Sequence, residues 1–521
     1  MDFEGEGSDM GSMDDVMSME EESEDEDRSV EEEPMIVPKK KKYPYLSPPA
    51  HVCLDDVERL PFVLMEDFAY FADRDNATTA ISTCEMAGRR GDFKVTLYTA
   101  PPPLVSYLCV HATSFDHTEF AIEPKIIATD SNSGLLLLRV VIGDHPSHVM
   151  LTRKREYFVY DARSSTPSLR HLSRRGNLEF NETSLAIVRK CNKRSDHHDS
   201  TGFSLRPHGA SEEDDHNCSN CDYVVAAQSS GFGYVKTSEL CLYHSDTETW
   251  SKEPVVAKSY PDHATCKTIT IGGDKGTVAW VDLSRNIVFC DVLDKRPKLR
   301  YVRLPPESEA LEYGHPRSVR DVALVGGLIR FVELKPRVQP DSVGNSQCTY
   351  HGWGATMWSI KTSSSSSKDW NTDYQLDSTQ IPESLLPKLH VSADTVQPTL
   401  SSLQIGLPNL SLQDDGVVYF LTKIDHRDKD HAAWVLTVDM KNKTIHKVGE
   451  FGATRTVGLA KAYNATRISK YLRVAAGNFY HRLVVCYFLY MINYQISAFF
   501  FFWSRRVGII ISHQSCRVYR G

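Results

Sequence analysis

The sequence predicts a mainly β protein, a β-propeller-like array of antiparallel hairpins, on three observations. Apolar runs of strand length recur along the chain, most of them end in or near a short polar segment containing Asp, and a return strand follows. These units repeat at irregular spacings of some tens of residues, the signature of blades or a similar stacked β-array.

The elements follow in order. Regular structure is expected to begin near Leu60. "PFVLMEDFAYFADRDNATTA" has apolar residues, a charged break and a turn at Asp73 to Asn76. "DFKVTLYTAPPP" alternates as a half-buried strand does, and its prolines at 101 to 103 terminate it. "GLLLLRVVIG" is a continuous apolar run, which fits a strand buried on both faces. Hairpins are then read in "EYFVYDARSSTPSLRHLS", "SELCLYHSDTETWSKEP", "NIVFCDVLDKRPKLRYVRLP" and "AAWVLTVDMKNKTIHKVGEF". Partner strands lie between them in "DYVVAAQ", "GTVAWVDL", "DVALVGGLIRFVEL" and "DGVVYFLTKID".

One stretch raises a chemical question. "GTVAWVDLSRNIVFCDVL", Gly276 to Leu293, places two aspartates and a cysteine among apolar residues. Two alternating runs separated by a short polar turn explain it as a hairpin, with Asp282 and Asp291 capping backbone donors at strand ends and Cys290 in the core.

The chain has 521 residues, a formal charge of -9 and 41% hydrophobic residues. Length alone would suggest two or three domains, but all-β arrays run large, so one domain over residues 55–477 is expected. The mild acidity argues against a dedicated nucleic-acid binder, which usually carries a basic face. The 12 cysteines are scattered through apolar runs, as in a reducing compartment, and Met1 to Glu33 contains no signal-peptide core. A cytoplasmic or nuclear location follows as the expectation.

Residues 1–54 read as a disordered tail, acidic first and then basic at Lys39 to Lys42. Polar inserts are expected at about 192–222 and at 361–373, the second with a run of five serines. Residues 478–521 form a hydrophobic tail of abruptly different composition. Its stretch Leu483 to Trp503 has no charged residue and is long enough to cross a bilayer, although Asn493, Tyr494 and Gln495 sit mid-span. A tail anchor, a buried terminal hairpin and a non-native extension from read-through all fit it, and a membrane contact is expected only if this tail is genuine.

Few residues suggest chemistry. His197, His198, His208, His216, Cys218 and Cys221 are zinc-ligand types, and Cys218 and Cys221 have one ligand pair's spacing. No second spaced pair completes a recognised zinc pattern, so a polar loop is the plainer reading. Asp282, Asp291, Asp321 and Glu333 are the carboxylates available for a propeller hydrolase, yet strand-end carboxylates serve more often as turn caps. Trp280, Trp353, Trp358 and Trp434 read as blade-packing aromatics. No catalytic residue and no cofactor is assigned.

The segments "FVLMEDFAYFADRDNATTA" (Phe62 to Ala80), "GTVAWVDLSRNIVFCDVL", "LRYVRLPP" (Leu299 to Pro306), "RDVALVGGLIRFVEL" (Arg320 to Leu334) and "ISKYLRVAAG" (Ile468 to Gly477) occur in an order that resembles one family. It is the grass-expanded plant proteins carrying the domain of unknown function DUF1618. The resemblance implies a plant, intracellular, propeller-like protein, comparable with F-box-associated and kelch-like domains, and brings no catalytic residue with it. The functional expectation is a non-enzymatic protein-interaction module whose rim loops meet a protein partner. The alternative is a hydrolase or carbohydrate-binding propeller with an axial pocket. Convergent carboxylates in a deep axial pocket would favour the enzyme, and an apolar or filled channel the binder.

Overall fold

The two runs of Gly276–Leu293 are strands in register, with Val278 opposite Cys290 and Trp280 opposite Val288. Asp282 closes the first. Its carboxylate accepts from the Ser284 amide at 2.8 Å and its carbonyl from the Arg285 amide at 3.1 Å, so the turn leaves neither donor stranded. Cys290 is 1% exposed, and burial pushes its thiol up to about 12.

A computed structural model of the chain describes residues 47–49, 60–151, 154–163, 166–172, 176, 178–190, 221–229, 239–255, 263–305, 315–340, 348–389, 397–425, 433–451 and 463–472. Apart from residues 47–49, 221 and 222, the tail at 1–54, the insert at 192–222 and the segment 478–521 lie outside the described residues. His197, His198, His208, His216 and Cys218 are among those outside. Among the described residues there is no α-helix, only short 3-10 turns, and no helix long and apolar enough to cross a membrane.

Strands β1 (Val63–Glu66) and β2 (Tyr70–Phe71) precede the meander β3 (Ala80–Met86), β4 (Arg89–Tyr98) and β5 (Val105–Ala112). Five four-stranded antiparallel meanders follow. They are β6 (Phe120–Asp130), β7 (Leu135–Ile142), β8 (Arg155–Asp161) and β9 (Ser168–His171); then β10 (Ala186–Lys190), β11 (Asp222–Gln228), β12 (Glu239–His244) and β13 (Thr249–Pro254). Next come β14 (Lys267–Gly272), β15 (Thr277–Asp282), β16 (Asn286–Asp291) and β17 (Leu299–Arg303). The last two are β18 (Arg320–Val325), β19 (Leu328–Pro340), β20 (Cys348–Lys361) and β21 (Asn371–Asp377), and β22 (Gln404–Leu410), β23 (Val417–Lys423), β24 (Ala433–Asp439) and β25 (Thr444–Phe451). The final strand, β26 (Tyr463–Thr466), returns to the first sheet and pairs antiparallel with β1, Val63 opposite Thr466 and Glu66 opposite Tyr463. That sheet runs β26-β1-β5-β4-β3, with β1 parallel to β5.

These six sheets are the blades of a propeller. The first strands β6, β10, β14, β18 and β22 contact their neighbours in succession, and β26 follows β22. Backbone bonds from Ala69 N to the Pro124 carbonyl and from Ile126 N to the Asp67 carbonyl close the ring between the first and second blades. A four-stranded antiparallel meander ends on the side where it began. Each blade's innermost strand therefore starts at the same end of the central axis.

Side-chain alternation explains the packing. On β7, Leu136 and Leu138 face the first blade with Phe93 and Leu97, whereas Leu135 and Leu137 face the third with Ile187 and Val225. This is why that run is apolar at every position. Trp280 and Val288 pack on Val188 and Val224, Phe289 on Phe331 and Trp358, and Trp353 on Phe420. The four tryptophans expected to pack blades are all buried, and the Trp280 indole N–H also donates to the Ser184 carbonyl at 2.6 Å.

Polar groups tie blades as well. Arg320 and Glu333, each 2% exposed, pair within the fifth blade through Arg320 Nε at 2.8 Å and through Nη2. Arg320 Nη1 also donates to the Leu283 carbonyl of the fourth blade at 3.0 Å. The serine run lies in the β20–β21 connection. There Arg300 donates to the Ser364 carbonyl at 2.8 Å and the Trp370 indole to the Arg303 carbonyl at 2.9 Å, which fastens the connection to the fourth blade.

Candidate functional site

A pocket of about 260 Å³ lies along the axis, and all six blades contribute to it. The first gives Asp67 and Asn464, the second Lys125 and Arg139, and the third Glu182. The fourth gives Lys267 to Thr270, the fifth Arg317 and Val322 to Leu324, and the sixth Leu412. Glu182, Lys267 and Arg317 stand where the innermost strands of their blades begin. Thr129, Ser131, Asn132, Thr270 and Thr466 bring hydroxyls and an amide to the wall, and beside Thr466 it also carries Arg467, which donates to the Leu412 carbonyl at 2.6 Å. Such a volume lies just under the range of about 300–1,000 Å³ usual for drug-sized ligands, which suits a compact one.

Local structure places each charged group. Lys125 is on β6, whose register shifts three times along its pairing with β7, and it stands opposite Arg139. Bulges of this kind re-aim side chains beside sites. Glu182 begins a 3-10 turn, Glu182–Ser184, capped by the Asn181 side chain. Arg317 sits in the turn Pro316–Ser318, capped by the His315 ring nitrogen. Asp67 follows β1, where Phe68 bridges to Lys125 in backbone pairing.

The ion pairs are specific. Glu182 accepts from Arg139 Nη1 at 2.7 Å and from the Tyr157 hydroxyl at 3.0 Å, with Arg155 Nη1 at 3.7 Å. Asp67 accepts from the Asn464 amide and stands 3.6 Å from Arg317 Nη2, which donates to Asn464 Oδ1 at 3.0 Å. Lys267 pairs with Asp321 on the next blade, and Asp321 also accepts from the Leu410 amide at 3.0 Å one blade further on. Burial pushes the Lys125 amine below its ordinary range. Arg317 and Arg139 act in the same direction, and Asp67 and Glu182 oppose them. Cys266, also on the wall, has its thiol pushed up by burial.

The carboxylates singled out in the sequence do not converge here. Asp282 accepts from the Ala264 and Ser284 amides, Asp291 from the Thr277 hydroxyl at 2.6 Å, and Glu333 from Arg320. None of these or Asp321 lines the pocket; all four carry structural hydrogen bonds. The residues that do line it, Asp67, Lys125, Arg139, Glu182 and Arg317, had no motif to announce them. Of the zinc-type residues, Cys221 alone is described, and it is half-buried. Among the described residues no group of three or more His, Cys, Asp or Glu could hold a metal ion.

The pocket is thus neither an apolar channel nor a ring of acids. It is a cavity of mixed apolar and polar lining in which cations outnumber carboxylates.

Comparison with curated proteins finds no match. Solved structures to which the chain is similar include a hypothetical selenium-binding protein from Sulfolobus tokodaii, at 11% identity and TM-score 0.29, over 73% of this chain and 76% of that one. Another is the β-propeller domain of the Trilobed protease from Pyrococcus furiosus, at 9% identity and TM-score 0.21, over 64% and 98%. A third is the subtype N11 neuraminidase-like protein of A/flat-faced bat/Peru/033/2010 (H18N11), at 10% identity and TM-score 0.21, over 75% and 95%. The propeller assignment rests on the strand topology itself. Residues 280–419, from β15 into β23, match the family model described as "Protein of unknown function (DUF1618)".

Proposed function

We propose that the protein is a binding propeller that holds a compact polar small molecule in its axial pocket. The observation that carries this reading is the pocket's construction: all six blades line one cavity of about 260 Å³, and five of them bring polar groups to it. Propeller walls are rigid, so such a site is preorganised and loses little affinity to ordering on binding.

Binding is favoured over hydrolysis by the state of the two carboxylates present. A glycosidase needs a pair free to approach the scissile bond from both sides. Here Glu182 is held by Arg139 and Tyr157, and Asp67 by Asn464 with Arg317 beside it. Their role is to position arginines. The rim-loop surface expected from the sequence would draw on residues 192–222, which lie almost entirely outside the described residues.

The test is a thermal-shift panel on the full chain with hexoses, polyols, amino acids, short dicarboxylates and phosphates. A ligand of the native state raises Tm in a saturable way by mass action. At least one class is expected to do so. A flat response to every class at 10 mM would remove the proposal.

A further inference from the structure

The charges that line the pocket do not balance among themselves. Arg139 is answered by Glu182, Arg317 by Asp67 and Lys267 by Asp321. Lys125 has no ion pair and no hydrogen bond from its amine among the described residues. It lies 5.1 Å over the Phe68 ring, a contact that accommodates a cation without neutralising it.

Two further observations point the same way. Lys125 and Arg139 are directly opposed across β6 and β7, and both line the pocket, so two like charges share one face. Like charges in that position repel and destabilise a sheet. Arg139 is only 6% exposed, and its buried Nε has no hydrogen-bond acceptor. A buried N–H without a partner costs about 1–3 kcal/mol. A preformed cavity thus presents an ammonium without an ion pair, a neighbouring guanidinium with a spare donor, and a repulsion that an anion would relieve.

We infer that the axial pocket receives a compact oxyanion, a carboxylate or phosphoryl group, on Lys125, with Arg139 and Arg317 flanking it. This rests on the reading of the pocket as a ligand site and adds its charge class. Lys125 supplies a point charge with three donors. The arginines, already oriented by Glu182 and Asp67, supply fixed donors of the geometry that oxyanions accept. The hydroxyls elsewhere on the wall, with Arg467 beside them, then suit a polar remainder of the ligand.

The test is isothermal titration of the full chain with inorganic phosphate, with malonate, and with uncharged malonamide and glycerol as size-matched probes. Phosphate or malonate is expected to bind, with affinity falling as salt is raised, at least 10-fold more tightly than malonamide. Lys125→Met is expected to weaken that anion at least 10-fold, Lys125→Arg to stay within about 3-fold, and the surface control Lys252→Met to leave it unchanged. Phosphate alone binding would assign a phosphoryl group, and malonate alone a carboxylate; either supports the inference. An unchanged affinity in folded Lys125→Met would overturn it. Glycerol or malonamide binding as well as the anions would also overturn it, while leaving the small-molecule site standing. No binding by any probe, together with a flat thermal-shift panel, would remove both.

Discussion

Arg320→Met is the sharpest probe of how the blades are held. The substitution keeps most of the side-chain bulk and deletes the charge. Glu333, 2% exposed, then retains a carboxylate in the interior with only the Lys335 amine nearby, at 3.7 Å. The Leu283 carbonyl in the neighbouring blade loses the donor that reached it from Arg320. Breaking a buried pair from one side costs about 3–5 kcal/mol, because one charge is left uncompensated. With an unfolding entropy of about 2.1 cal/mol/K per residue over roughly 400 residues, a loss of about 4 kcal/mol lowers Tm by about 5 °C. Arg320→Met/Glu333→Leu replaces the pair by apolar groups and is expected to return to within about 2 °C of the parent. Differential scanning calorimetry of the parent, both single variants and the double variant gives the coupling. The reasoning fails if the two single losses simply add in the double variant, or if Arg320→Met melts with the parent.

Other outcomes follow from single sites. Burial lowers the Lys125 amine from 10.5, so between its folded value and 10.5 the unfolded chain binds more protons and stability rises with pH. Lys125→Met should therefore exceed the parent in stability at pH 7 by about 0.5–2 kcal/mol, as relief of a functional site often does. Urea midpoints from pH 7 to 10 should show that gap closing as 10.5 is approached. At Gly449 an added Cβ would meet the Pro103 carbonyl oxygen at 2.7 Å and its carbon at 2.8 Å, both backbone, so Gly449→Ala should lose about 1–3 kcal/mol in chemical denaturation. Gly354→Ala, whose Cβ would meet only the Leu376 oxygen at 3.7 Å, should stay within about 0.5 kcal/mol. Cys290, its thiol pushed up to about 12 and 1% exposed, should resist iodoacetamide at pH 8 in the folded chain and react in urea, as read by peptide mass spectrometry.

The third and fourth strands of the blades were the most legible in sequence. Tyr157 to Tyr160 or Trp434 to Leu436 are buried between two neighbouring blades, so their apolar character is continuous and a polar turn with Asp ends it. Apart from β18, read in "DVALVGGLIRFVEL", the innermost strands were nearly silent. β14 carries Lys267, Thr268 and Thr270 because one face lines a wet cavity, and β6 is bulged and contains Pro124, which breaks any period. The site inherits that silence. Asp67 and Glu182 lie in short connections, and Lys125 and Arg139 become neighbours only through strand register, information that no local window contains. Asp321 and Glu333 stand out in the sequence for the opposite reason: acids amid apolar residues attract notice, and their partners Lys267 and Arg320 give them structural roles. The five-serine run reads only as a polar insert because composition carries no trace of Trp370 reaching the Arg303 carbonyl.

The pairing of β1 with β26 has a consequence for synthesis. Glu66 must wait for Tyr463, a separation of nearly 400 residues. At about 5–20 residues per second, the ribosome leaves one margin of the opening sheet without its neighbour for roughly 20–80 s. During that interval the nascent chain exposes an unpaired edge that another polypeptide could occupy. Escorting the newborn chain through that vulnerable minute is a demand the architecture places on its cell.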